Sequence, residues 1–309
     1  MSEIALTEIA RTEIALTLGP VFFHWSPDRF LDFYRRIADE APIDRVHVGE
    51  VVCGKRMPFS DPAWPAVIER LERGGKQVVL STLAAPATAR ERRSVEDLCG
   101  DERLVEINDV SCLPSRSGKP FVTGPFLNVY NEASAKFLIQ LGAQTICPPM
   151  ELSFAAIGVM ASKCPEAEFE IFAFGRLPLA LSGRCYHARI HGLHKDSCQF
   201  TCEKDPDGLS VDTLDDQQFL AVNGVQTLSN QLQAFCPAPG ALVSKGVRRL
   251  RLSPQTCDMV EVARIYRRLA DGKEEPGGAR FALSCLDLPG TLVDGYAHAK
   301  PGWHATAPA

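Results

Sequence analysis

Between Ala15 and Phe174, short runs rich in Val, Ile and Leu alternate with stretches whose apolar residues recur at helical spacing. That beat restricts the fold more than any other feature of the chain. Residues 15–23 read as a first strand region. Ser26-Pro27-Asp28 then opens a helix: Ser26 offers a cap, Pro27 has no amide hydrogen to lose at the first position, and Asp28 suits the positive end. Phe30, Leu31, Tyr34 and Ile37 form its apolar stripe, which ends near Glu40. A strand over 45–49, a helix over 61–73 stopped by Gly74-Gly75, and a strand over 76–83 repeat the unit.

The same rules give a helix over 88–99, strands over 104–107 and 121–127, a helix over 132–141 and a strand over 145–147. A helix over 152–162 and a strand over 170–174 complete this part. Further on come a strand over 219–222, a helix over 229–234, a strand over 249–252 and a helix over 255–270. Strands joined through helices form right-handed βαβ units and a parallel sheet. Eight or nine strands come close to the eight of a TIM-like (β/α) barrel, so the expected fold class is α/β, one barrel domain in preference to a doubly wound sheet. Residues 3–17 repeat a pentamer whose period suits neither helix nor strand, and 1–12 read as a floppy N-terminal extension. The barrel is expected over 13–273, carrying a cysteine loop at 175–208. The Gly- and Pro-rich tail, 274–309, is expected to pack on the barrel as loops and short strands.

A chain of 309 residues, 45% of them hydrophobic, can bury a large core. A formal charge of -5 and a pI near 5.8 give no electrostatic footprint for a polyanion, so nucleic acid is a disfavoured partner. No stretch has the ~18 uninterrupted apolar residues of a membrane span, and the start lacks the apolar core of a signal peptide. Eleven cysteines in such a chain point to a reducing compartment, where thiols bind metal or lie buried. The expected location is therefore cytoplasmic.

Cys185, Cys198 and Cys202 stand on one polar loop among His, Lys and Asp residues, in the spacing Cys-x12-Cys-x3-Cys. Thiolates in polar, positively flanked loops bind soft metals, whereas cysteines in apolar strands act as small hydrophobes. A cubane iron-sulfur cluster wants four thiolates. Cys53 is the best candidate for the fourth, because Gly49-Glu50-Val51-Val52-Cys53-Gly54-Lys55-Arg56 turns polar just after an apolar strand. A zinc clamp or bland free thiols are the alternatives, but no Cys-x2-Cys knuckle occurs. Asp205 stands where a radical-type cluster loop would need a further cysteine. Cys112 and Cys164 fall in loops and compete with Cys53 as the distant ligand, while Cys99, Cys147, Cys236, Cys257 and Cys285 lie in or beside apolar or helical segments.

Four phrases, Gly124-Pro125-Phe126-Leu127-Asn128-Val129-Tyr130-Asn131, Gly175-Arg176-Leu177-Pro178-Leu179-Ala180, Cys185-Tyr186-His187-Ala188-Arg189 and Gly49-Glu50-Val51-Val52-Cys53, resemble the collagenase-like peptidase family, and more narrowly its UbiV branch. The resemblance runs from about Gly19 to Gly302. It implies that Cys53, Cys185, Cys198 and Cys202 hold a 4Fe-4S cluster. It also implies anaerobic work as a heterodimer with a UbiU-like partner, in oxygen-independent hydroxylation steps of ubiquinone biosynthesis, with prephenate as the oxygen donor and pathway intermediates as ligands of the pair. A hydroxylase component acting on RNA, as other members are, and a non-catalytic metal-stabilised scaffold are the other readings.

Peptidase chemistry lacks its usual parts, since the chain has neither a Gly-x-Ser-x-Gly elbow nor a His-Glu-x-x-His helix. Barrel enzymes work at the carboxyl ends of their strands. The candidates there are Glu50, Lys55 and Arg56, Asn108 and Asp109, Asn128, Tyr130 and Asn131, and Arg176, with a loop hydrogen bond or helix cap the alternative for each; no catalytic residue is singled out. Lys55, Arg56, Arg184, His187, Arg189 and Lys195 are candidate cations around a negative cluster. His187, His191 and His194 crowd the loop, and with softer thiols at hand they read as outer shell or solvent-facing.

Overall fold

Strand pairing decides the architecture. The computed structural model describes residues 13–306. In it β1 (Ala15–Leu18), β2 (Arg45–Val48), β3 (Gln77–Ser81), β4 (Leu104–Ile107), β5 (Phe121–Thr123), β6 (Ala143–Ile146) and β7 (Glu168–Leu181) lie side by side, every pairing parallel. The chain then forms β8 (Leu209–Asp212), β9 (Gln218–Asn223) and β10 (Gln226–Ala234) before β11 (Val247–Leu252) returns to the ring. β11 runs parallel to the first half of β7 on one side and to β1 on the other, which closes an eight-stranded parallel barrel. A short β12 (Leu292–Val293) pairs with β10 outside that ring.

The connecting helices bury one apolar face each. The helix Trp64–Arg73 buries Val67 and Leu71, and Met259–Ala270 buries eight side chains from Met259 to Ala270. Truncating a fully buried leucine such as Leu71 costs about 2–5 kcal/mol, transfer and cavity together. Thr88 and Glu91 form a capping box at the helix Ala89–Cys99. Among the described residues no helix is long and apolar enough to cross a membrane.

Several sequence expectations need correction. β1 stops at Leu18, ahead of Gly19-Pro20, because Pro20 has no N–H to continue a ladder. Ser26 precedes the helix Pro27–Glu40 but makes no side-chain cap. The helix expected over 61–73 starts as a 3-10 turn, Asp61–Ala63, and the strand expected over 121–127 gives way to another, Pro125–Leu127. Residues 229–234 are strand, not helix: this part of β10 pairs antiparallel with the far half of β7 and parallel with β12, and two ladders outweigh a weak local preference. The tail expected to be irregular contains the helix Pro276–Ser284. The expectation for residues 1–12 lies outside the described residues.

Two consequences of the fold matter for function. β7 is long enough to leave the barrel: as far as Phe174 it pairs with β11, and from Phe174 to Leu181 it pairs with β10. It thus carries the chain past the carboxyl end of the barrel into the cysteine loop. Gly175 makes the transition with φ 113°, where a Cβ would lie 2.8 Å from that of Ser253.

The barrel interior, moreover, is ionic. Arg251 Nη1 donates to Glu106 Oε1 at 2.6 Å and to Glu170 Oε1 at 2.9 Å, and all three side chains are fully buried. Ser81 Oγ donates to Glu106 Oε2 at 2.7 Å, and His47 Nδ1 lies 3.2 Å from Glu106 Oε1. Burial pushes the Glu106 carboxyl up, but Arg251 and then His47 outweigh it and hold it well below the usual carboxylate range. Glu170 is lowered by the same balance.

Candidate functional site

The site grows from the β9–β10 hairpin upward. Its two-residue turn places Gly224 first with φ 70°, an arrangement that matches the twist of paired strands. A Cβ on Gly224 would lie 2.4 Å from Arg56 Nη2, so glycine also makes room for that guanidinium. Val225 O accepts from Ser182 N at 2.8 Å, which fixes the end of β7 to the turn. Asn223 Nδ2 donates to the carbonyls of Cys202 at 3.0 Å and Asp205 at 2.8 Å. The loop over 182–208 is thereby moulded onto one hairpin.

Cys185 precedes the short helix Tyr186–Ile190, and its Sγ accepts from Ala188 N at 3.4 Å. Cys198 follows the 3-10 turn Lys195–Ser197. Gln199 and Phe200 then take φ 50° and 52°, left-handed values that non-glycine residues rarely adopt, and so turn the chain into Thr201–Lys204, which contains Cys202. Cys53 comes from the far side, after β2, heading the 3-10 turn Gly54–Arg56. The four cysteines share the wall of one small cavity with Lys55, Arg56, Lys195, Phe200, Thr201 and Gly224.

Arg56 is the cation at the centre. It is 2% exposed, Nη1 donates to Phe22 O at 3.0 Å, Nη2 donates to Asn223 Oδ1 at 2.6 Å, and Nε has no partner. Burial works against its charge, yet Glu50, Cys202 and Cys53 outweigh burial and raise its proton affinity. Burial pushes the Cys53 and Cys202 thiols up and Arg56 opposes this at both; at Cys202 the neighbouring Cys185 and Cys198 push the same way as burial. The Glu50 carboxyl, raised by burial, accepts from the amides of Val52 and Cys53 at 2.8 and 2.9 Å. Lys55 Nζ bonds Lys195 O at 2.6 Å and Asp196 Oδ1 at 3.0 Å, joining the Cys53 side to the loop.

Of the other expected residues, some do structural work. Asp109 and Asn131 cap a 3-10 turn and a helix. Arg176 spans carbonyls of Ser229 and Pro289, Asn108 is buried against Glu106 and Thr82, and Tyr130 bonds Glu151. Asn128 is an exposed left-handed residue. Arg184 and Arg189 are exposed, whereas Lys55, Arg56 and Lys195 do line the cavity. Cys112 and Cys164 are fully buried, next to Thr82 and the Glu132 carbonyl respectively. Neither lines the thiol cavity.

Sequence reasoning missed two things. One is the Glu106, Glu170, Arg251 and His47 network, whose only signal was charge inside otherwise apolar strands. The other is the gathering of His187 and His191 with Asp205, whose ligand atoms lie within 4.8 Å of one another, while His194 stays out of the group. A broad depression of about 1080 Å³ opens at the opposite, amino end of β5, β6 and β7. It contains none of these groups.

A closed parallel barrel whose carboxyl-end loops gather four thiols around a buried arginine defines a (β/α)8 protein with a soft-donor pocket. The profile of peptidase family U32 matches residues 30–282, and the chain belongs to that family. The chain is 29% identical over 122 residues to tRNA hydroxylation protein P of Escherichia coli (strain K12), a match covering 36% of this chain. It spans only 26% of that relative's length. A solved structure, that of the U32 peptidase Mk0906, aligns over 79% of this chain and 94% of its own, with 11% identity and a TM-score of 0.43.

Proposed function

We propose that the chain is an iron-sulfur subunit of an oxygen-independent hydroxylase, with a 4Fe-4S cluster on Cys53, Cys185, Cys198 and Cys202. The observation that carries this reading is the pairing of four thiols on one cavity wall with a buried Arg56 whose Nε lacks a partner. An anionic group among the sulfurs would give that orphaned donor its acceptor. The Ala188 amide would remain a donor to the Cys185 sulfur, and Arg56, Lys55 and Lys195 would offset the negative charge, which raises a cluster's reduction potential. Bound there, the cluster would supply one-electron exchange.

The hydroxylation part of the reading draws on the hydroxylation protein among the relatives. Within it we favour ubiquinone biosynthesis beside a UbiU-like partner, because the four phrases of the sequence resemble that branch and the net charge of -5 suits a small aromatic substrate better than RNA. A role on tRNA is the second reading, favoured by the name of that relative.

Protein purified without oxygen should contain about four irons and four sulfides per chain. Stoichiometric zinc without sulfide would sink the cluster. Deleting the gene should lower ubiquinone in cells grown without oxygen and leave tRNA hydroxylation unchanged; the reverse outcome would select the second reading. Co-expressed with its partner, the chain should elute as a heterodimer burying at least ~1,000 Å².

A further inference from the structure

We propose that His187, His191 and Asp205 form a second metal site, separate from the thiol cavity, that takes one divalent transition-metal ion such as Zn2+ or Fe2+. The argument starts at a buried ring. His187 is fully buried, and its Nδ1 lies 3.3 Å from the Val222 carbonyl. A carbonyl can only accept, so the ring proton belongs on Nδ1 and the lone pair on Nε2. Nε2 has no hydrogen-bond partner, although Asp205 Oδ2 lies 3.0 Å away, out of alignment for a hydrogen bond. Two acceptors at that distance call for a cation between them.

His191 completes the set. It stands four residues after His187, at the end of the helix Tyr186–Ile190, so the two rings share one face, with centroids 5.5 Å apart. A proton bridging His187 and Asp205 would need no third donor, whereas a metal ion would use it. Two of the three residues are held from β9: the Val222 carbonyl orients the first imidazole, and Asn223 Nδ2 donates to the Asp205 main-chain carbonyl at 2.8 Å. A histidine that ligates a metal characteristically donates its other ring N–H to a carbonyl or carboxylate, which is the arrangement at His187.

Two imidazoles and one carboxylate select borderline divalent ions over the soft-metal chemistry of the neighbouring thiols. Three protein ligands leave positions open, as in catalytic zinc and non-haem iron sites. His191 is exposed, so those positions face solvent.

The test uses the full chain, prepared anaerobically, with iron and sulfide counted first. After one equivalent of Zn2+ and desalting, wild type should retain one zinc per chain, with only nitrogen and oxygen neighbours at about 2.0–2.1 Å in X-ray absorption. His191→Ala and Asp205→Asn, which leave the buried His187 in place, should weaken zinc binding at least tenfold and keep their iron. Cys198→Ala should do the opposite. Failure to retain zinc, a sulfur neighbour at about 2.3 Å, or equal zinc in all variants would overturn the site. Zinc retained in this shell by a chain that holds no iron would support the site and refute the cluster instead.

Discussion

Arg56 Nη2 donates to Asn223 Oδ1 at 2.6 Å, and this buried bond joins the turn that delivers Cys53 to the hairpin that shapes the loop of Cys185, Cys198 and Cys202. Asn223 has no charge to offer the site; its part is positional. Together they bring distant parts of the chain to one cavity.

Asn223→Ala should therefore affect both stability and loop geometry. It strands a guanidinium nitrogen and the Cys202 carbonyl, at about 1–3 kcal/mol for each buried group left unpaired, while the Asp205 carbonyl keeps the Gly208 amide. Thermal unfolding and iron content, measured on the same preparation, should both fall. Full iron with an unchanged melting temperature would show that the bond does not organise the loop.

The cysteines should divide sharply. Alanine at Cys53, Cys185, Cys198 or Cys202 should remove most of the iron. Alanine at Cys112 or Cys164, both buried away from the cavity, should leave iron near normal with a stability cost of about 1–2 kcal/mol. Iron lost on replacing Cys112 or Cys164 and retained on replacing Cys53 would reassign the fourth ligand.

Arg251→Met should reverse the pH dependence contributed by the barrel interior. In wild type the Glu106 and Glu170 carboxyls are held below their ordinary values, so their contribution is present above the unfolded value of about 4.3 and lost as pH falls through the lower folded values. Without Arg251 the two fully buried carboxylates lose their main counter-charge and keep only weaker help such as His47 beside Glu106, at a cost of about 3–5 kcal/mol. Their affinity for protons then rises above the unfolded value, and the variant should be less stable at pH 8 than at pH 5. Denaturant midpoints across that range decide the matter; a parallel shift of the wild-type curve would count against the account.

His24 supplies a second pH signature. Burial, then Arg56, lowers its imidazole from 6.5 to about 4, so it folds neutral. Its contribution is whole above pH 6.5 and is lost as pH falls toward 4, because the unfolded chain takes the proton first. His24→Gln should flatten the decline in stability over that interval, read as melting temperature against pH. An unchanged slope would place the titrating group elsewhere.

The sequence by itself determined the ring: period and caps located most of its strands and helices, because a βαβ unit is specified locally by apolar spacing and by chain stops such as Gly74-Gly75. It also singled out Cys185, Cys198 and Cys202 by their polar, cationic loop and Cys53 by the polar turn that follows a strand, and these four line one cavity. Tertiary structure alone decided the rest. Residues 229–234 became strand because β7 outlasts the barrel and offers an edge, something no local window contains. Glu106, Glu170 and Arg251 drew no assignment from the sequence; barrel closure put Arg251 within 3 Å of both carboxylates. In the sequence His187 reads as a cation near the cluster or a solvent-facing ring, with no link to Asp205, until the β9–β10 hairpin presses the two together. Local pattern fixes what each segment prefers, whereas a charge or a metal donor acquires its meaning from neighbours that only the closed fold supplies.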